Sequence, residues 1–199
     1  KIDTMFNVVW SRTIHQRQDN YLLIMERLVE RNNAYYMVCG ATLTKVKSDG
    51  TVVFSKYYGP EMGTTDEYLS INFNALVPIS GGRFFIAGEL NADPNTFAEN
   101  GFLSIVDSNG NFLKQKQVNV GGPYGNTITH AFKESENRFR IFGRHHNDIY
   151  TALADSNFAV TAAKKISGAV MFDREICYNG SDRYLVSISH AGTTLMMLD

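Results

Sequence analysis

The chain has 199 residues, 44% of them hydrophobic and 20% charged, with 19 basic against 20 acidic side chains and a net charge of −1. That length suffices for one ordinary domain with a full core, and the composition excludes a disordered chain. The charge balance supplies no field to draw nucleic acid or an anionic membrane, and no apolar run approaches the roughly 18 residues of a membrane span.

The chain opens on Lys1 rather than Met and shows no signal peptide, as expected of a processed product or a window from a longer chain. Ile2 to Ile14 then reads as an outer β-strand without a repeat of its own. A first four-strand pattern follows. Its runs are Leu22–Met25, Asn33–Gly40, Thr42–Val46 and, after the turn Ser48-Asp49-Gly50, Val52–Tyr58. Leu22–Arg31 also has the spacing of a short amphipathic helix, but its place in the repeat makes it a strand.

The second pattern runs Leu69–Phe73, then Gly81–Gly88, then Phe102–Val106. The turn Asp107-Ser108-Asn109-Gly110-Asn111 leads into Phe112–Val118, and its Asn-Gly pair supplies the positive φ of a tight reversal. The third runs Thr127–Phe132, Glu136–Gly143, Ile149–Leu153 and, past the degenerate turn Asp155-Ser156-Asn157, Ala159–Ile166. The fourth runs Glu175–Tyr178, Ser181–Ile188 and Thr194–Leu198, where the outer strand is missing. The repeats span roughly 15–58, 59–118, 119–166, and 167–199 together with 1–14.

The pattern carries Gly81-Gly82-Arg83-Phe84 before an apolar strand ending in Gly88, the hairpin Asp107 to Asn111, and an aromatic before Ser and a basic residue in Trp10-Ser11-Arg12 and Phe54-Ser55-Lys56. These features resemble the repeats of secreted bacterial surface β-propellers, over nearly the whole chain. The resemblance implies an all-β propeller of four blades, each of four antiparallel strands. The N-terminal strand is expected to complete the last blade, setting Asn7–Ile14 beside Leu195–Leu198 and removing loose edges. A window from a ring of six to eight blades, two copies pairing into a larger ring, and a β-sandwich are the alternatives.

Propeller ligands meet the loops at one end of the central channel. Asp19, Asp66, Asn126 and Asp173 each precede the inner strand of a repeat. In a closed ring they converge, and converging carboxylates need a cation, donors or raised pKa values. Oxygen ligands suit Ca²⁺ or another hard cation at the channel mouth, while capping of the local turn is the plainer role. His145 and His146 lie in the densest polar cluster, Arg144 to Asp148, and are candidates for ligand contact on a loop. Neighbouring histidines on a strand point to opposite faces, which argues against a shared metal. The insertion Glu89–Asn100 is a second recognition candidate. Trp10 is expected to pack between sheets like its counterparts Phe54 and Phe112.

No nucleophile elbow, phosphate loop, dinucleotide fingerprint or zinc-protease motif is present in the sequence. The expected function is therefore a non-catalytic binding or adhesion module, extracellular or at the cell surface, that recognises a glycan or protein. It needs no cofactor beyond the mouth cation, no nucleic acid and no membrane insertion, and oligomers are compatible with it. The alternatives are a scaffold subunit of a larger assembly and a carboxylate-dependent hydrolase or lyase using Asp66 or Asp173. Cys39 and Cys177 read as two small buried thiols, or as one disulfide in an oxidising compartment.

Overall fold

A computed structural model describes residues 1–2, 4–11, 27–59, 70–91, 99–120, 126–145, 148–166, 173–178, 183–189 and 192–198. From residue 166 onward the description is of the backbone alone. The described elements are all β-strands. The first sheet holds β1 (Arg27–Arg31), β2 (Ala34–Cys39), β3 (Thr42–Lys47) and β4 (Val52–Tyr57) in that order. The second holds β5 (Ser70–Ile79), β6 (Arg83–Asn91), β7 (Glu99–Val106) and β8 (Phe112–Val118). The third holds β9 (Asn126–Ser135), β10 (Arg138–His145), β11 (Asp148–Asp155) and β12 (Val160–Ile166). The last has three strands, β13 (Asp173–Tyr178), β14 (Arg183–Ser189) and β15 (Gly192–Leu198). Every pairing within the sheets is antiparallel.

Sequence pattern explains the stacking. In β6, Phe84, Phe85, Ile86 and Ala87 are each at 0% exposure, as a strand covered on both faces requires. Side chains alternate between faces, so the two adjacent phenylalanines serve different neighbours. Phe84 lies toward the first sheet, with its ring 4.4 Å from that of Tyr36. Phe85 lies toward the third sheet and stacks on Phe139 at 4.0 Å and 9°. Leu103, Ile105, Ile128, Ile141 and Tyr150 fill the second-to-third interface, while Val38, Leu43, Phe73 and Phe102 fill the first-to-second. Each fully buried side chain of this size contributes roughly 1.5–3 kcal/mol, more than the net worth of one hydrogen bond. Outer strands β4 and β8 are mostly exposed, as Val53, Tyr57 and Leu113 show.

The turn between β7 and β8 is the expected Asp107–Asn111, with the expected positive φ carried by Gly110. Five residues, 107–111, separate β7 from β8. Asp107 organises them, because its Oδ1 accepts from the Asn109 and Asn111 amides, both at 2.8 Å. Asp155 does the same for Asn157 and Ala159, at 2.7 and 2.9 Å. One residue in each turn takes the left-handed conformation: Gly50 at φ 88°, Gly110 at φ 74° and Phe158 at φ 61°.

These turns are also where one sheet grips the next. Lys45 Nζ donates to the Ser108 carbonyl at 3.3 Å, and Lys114 Nζ to the Ser156 carbonyl at 3.3 Å. The Tyr58 hydroxyl donates to the Gly110 carbonyl at 2.6 Å. Gly110 has no Cβ, and one built there would lie 3.0 Å from Phe54 Cε2, so the glycine admits that ring.

Three expectations need correction. The inner strand of the first repeat is β1, at Arg27–Arg31, rather than Leu22–Met25, which lies outside the described residues. Val29 of β1 packs on the first-to-second core. Among the described residues the fourth sheet has three strands rather than four, and residues 7–11 form no closing strand with it, while residues 12–14 of the expected Asn7–Ile14 lie outside the description. Ile2 instead bridges Val8, and Trp10 packs against the first sheet, its ring 6.1 Å from that of Tyr35. Finally, the counterpart of Trp10 on β8 is Lys114 rather than Phe112. Ile2 opposite Val8 corresponds to Val46 opposite Val52 and to Val106 opposite Phe112, which places Trp10 with Phe54 and Lys114.

Candidate functional site

The first strands β5 and β9 lie beside each other in the stack. The Asn74 side-chain amide donates to the Ile128 carbonyl at 2.9 Å and ties the two together. Asn74 sits at a β-bulge, where Phe73 and Ala75 pair with adjacent residues of β6. A bulge leaves its extra residue out of the ladder and re-aims its side chain. Two residues back from this bond, Asn72 and Asn126 stand at the same end of their strands.

At this end the polar residues collect. Asn72 Nδ2 donates to Glu89 Oε1 at 2.7 Å, a part-buried contact across the β5–β6 ladder. Asn126 is the first residue of β9, pairs in register with His145, and is buried at 0% exposure. Its neighbour Thr127 is also buried and pairs with Arg144. The Tyr150 hydroxyl donates to the Thr127 carbonyl at 3.3 Å. Gly143 makes this possible, since a Cβ there would collide with both the Tyr150 ring and the Thr127 carbonyl. Arg144 and His145 are half-buried, and Asp148 forms an ion pair with Lys165 at 2.5 Å.

The sequence-derived candidates are distributed unevenly over this end. Asp19, Asp66 and His146 lie outside the described residues. Asn126 and His145 are brought together as register partners. Asp173 opens β13 and pairs with Ile188. Ile188 is five residues beyond Arg183, as Gly143 is five beyond Arg138, and Gly143 pairs with Ile128. Asp173 therefore corresponds to Ile128, two positions further along the strand than Asn126. Histidine 130 is buried, with its Nδ1 3.1 Å from Thr129 Oγ1. Cys39 is half-buried at the end of β2. Asn72 and Asn74 escaped notice in the sequence, although two asparagines alternating through the apolar Ile71–Ile79 run are an irregularity that marks a bulge.

The arrangement offers hydrogen-bond donors and acceptors held on strands: a carboxylate oriented by an amide, a guanidinium and an imidazole. Among the described residues, no three His, Cys, Asp or Glu side chains lie close enough to share a metal ion.

No family model matches the chain, and no curated protein matches it. Solved structures do. A protein of unknown function from Bacteroides caccae superposes with TM-score 0.58 at 10% identity, over 96% of this chain and 61% of that one. The Pan2 WD40 domain of Neurospora crassa superposes with TM-score 0.56 at 11% identity, over 87% of this chain and 46% of that one. At such identities the likeness concerns the fold alone, which is propeller-like. The chain spans about half to three fifths of the length of these structures.

Proposed function

We propose that this chain is a non-catalytic binding module that engages a polypeptide partner through the end of the sheets bearing Asn72, Glu89, Asn126, Arg144 and His145. The observation that carries the reading is the Asn72–Glu89 pair, a part-buried carboxylate oriented across a rigid ladder, at the same end as Arg144 and His145. Polar groups held on strands lose little freedom on binding and so suit recognition. A WD40 domain among the similar structures supports a protein-binding role through likeness of fold. An extracellular or surface setting, and a cation at the mouth drawn from Asp19, Asp66, Asn126 and Asp173, belong to the same proposal. A glycan in place of the polypeptide is the rival ligand, and a scaffold role in a larger assembly is the second reading.

The test is a peptide-display selection run beside a glycan array, using the wild-type chain, Arg144→Glu and Glu89→Lys. The expected result is enriched peptides that bind each variant at least about tenfold more weakly, as loss of a recognition residue gives. Binding to the array with no peptide enrichment sinks the polypeptide reading. Peptides indifferent to both substitutions remove the site from this end of the sheets.

A further inference from the structure

We propose that Arg138 and Arg140, held together by the Glu134 carboxylate, form a binding site for an oxyanion, the carboxylate or phosphate group of a ligand. Glu134 comes one residue before the end of β9, and Asn126 opens that strand. The site therefore lies at the other end of the sheet from the polypeptide end described above, and stands or falls separately.

The first sign is a break in the repeat. Tyr36 pairs with Lys45, Phe85 with Ile105 and Arg140 with Leu153. Lys45, Ile105 and Leu153 are equivalent, each lying two residues before the turn residue whose carbonyl accepts from Gly50, Gly110 or Phe158. Tyr36 and Phe85 are buried aromatics, and each meets a ring of the next sheet, at 4.4 and 4.0 Å. In the third sheet the same position holds a guanidinium. By alternation Arg140 lies on the face opposite to Phe139 and Ile141, which fill the second-to-third core. A charge at a position that the repeat otherwise gives to a core ring marks a place where function overrides packing.

The second sign is an added residue. In β5, Val77, Pro78 and Ile79 pair without interruption with Phe85, Phe84 and Arg83. In β9, Ser135 pairs with Arg138 and Lys133 with Phe139, so Glu134 is the extra residue of a β-bulge. A bulge re-aims the side chain it carries. Glu134 Oε2 lies 3.1 Å from Arg138 Nε, and its Oε1 accepts from Arg140 Nε at 2.9 Å. One carboxylate thus fixes two guanidiniums that alternate along β10. Both contacts run through Nε, which leaves the Nη groups of each arginine outside them. Those groups are donors suited to carboxylate or phosphate oxygens. Arg31, by comparison, uses its Nη1 on the Ile79 and Arg83 carbonyls, at 2.6 and 3.0 Å, and braces the β5–β6 turn.

Charge points the same way. Among the described residues two cations share one anion here, which leaves one positive charge in excess. Lys133 does not change the count, because it pairs with Glu136, and Glu136 Oε2 accepts from the Ser80 amide at 3.2 Å. The side chains of Arg140 and Glu134 are 16% and 14% exposed. In such partly dehydrated surroundings a charge attracts its counter-ion more strongly than at an open surface. Arg138, at 57%, keeps the pair within reach of solvent. An oxyanion supplies both the missing negative charge and several acceptor oxygens, so it can engage both guanidiniums at once.

The test is isothermal titration calorimetry of the full chain at low ionic strength, with inorganic phosphate and separately with acetate. Saturable binding of at least one anion is expected at about millimolar concentration. Arg138→Gln and Arg140→Gln should each weaken it at least about tenfold, as loss of a charge-assisted contact gives. Arg140→Lys keeps the charge and removes the fork, and should also bind more weakly. Far-ultraviolet circular dichroism should match the wild type, and the exposed Arg138 carries the test if the Arg140 variants fail to fold. Phosphate bound alone assigns a phosphate-bearing ligand, and acetate bound as tightly assigns a carboxylate. No saturable heat with either anion overturns the proposal. So does an affinity that Arg138→Gln and Arg140→Gln leave unchanged.

Discussion

Phe158 holds, between β11 and β12, the place that Gly110 holds between β7 and β8. Both are left-handed, at φ 61° and 74°, and both follow an aspartate that caps the turn. Glycine adopts that conformation freely, whereas an L-residue loses about 1–2 kcal/mol there. Phe158 offsets the loss by burial. Its ring is 1% exposed, 6.1 Å from that of Phe85, with the Lys114 ammonium over it at 5.2 Å. Truncating a buried Phe costs roughly 3–5 kcal/mol. Phe158→Gly should therefore lower stability by about 1–4 kcal/mol, the difference of those two effects. Gly110→Ala should also destabilise, by about 1–2 kcal/mol, from backbone strain and crowding of Phe54. Urea unfolding checks both, and a gain in stability for Phe158→Gly would show that strain outweighs packing.

Trp10 is the single tryptophan of the chain, so its fluorescence reports on the N-terminal hairpin without interference. Gly50 has φ 88° and lies directly beneath the indole. Gly50→Ala should force the ring outward, red-shift its emission and raise its accessibility to acrylamide. Far-ultraviolet circular dichroism should stay as in the wild type. An unshifted emission maximum would mean that the indole does not rest on this turn.

The carboxylate of Asp107 titrates below its ordinary range. Burial opposes this, but hydrogen bonds from Asn111 and Asn109, helped by the Lys56 charge, hold the carboxylate ionised. A depressed pKa gives stability that is present above the unfolded value, about 3.9, and lost as pH falls through the folded value. The urea midpoint of the wild type should therefore drop below about pH 4. Asp107→Asn should start from a lower midpoint at pH 7 and show a smaller acid drop. Equal drops in the two proteins would remove Asp107 from the acid response.

Burial pushes the hydroxyls of Tyr58 and Tyr150 well above the ordinary phenol range. In ultraviolet titration of the folded protein, these two of the 10 tyrosines should stay protonated past the ordinary value of about 10. They should ionise only as the fold is lost. Tyr58→Phe should remove one slow group from that titration. It should also cost about 1 kcal/mol, from the bond to Gly110 that joins two sheets.

Much of the architecture is legible in the residues alone. Phe112–Val118 is a strand with the bounds its pattern predicts, and Thr42–Lys47 and Asp148–Asp155 differ from theirs by one to three residues. Strand bounds are readable because side-chain alternation and turn residues act over a few positions of the chain. That Phe84 and Phe85 would serve two faces follows from the same alternation. Only the packed sheets decide which surface each face meets, where the hairpin ending in Trp10 comes to rest, and that Asn72 and Asn126 share one end. Those outcomes depend on contacts such as Trp10 with Ser48 and Asn74 with Ile128, which join residues 38 and 54 positions apart. Local sequence carries no information about such pairs, because their energy comes from shape and apolar surface that exist only once the sheets are stacked.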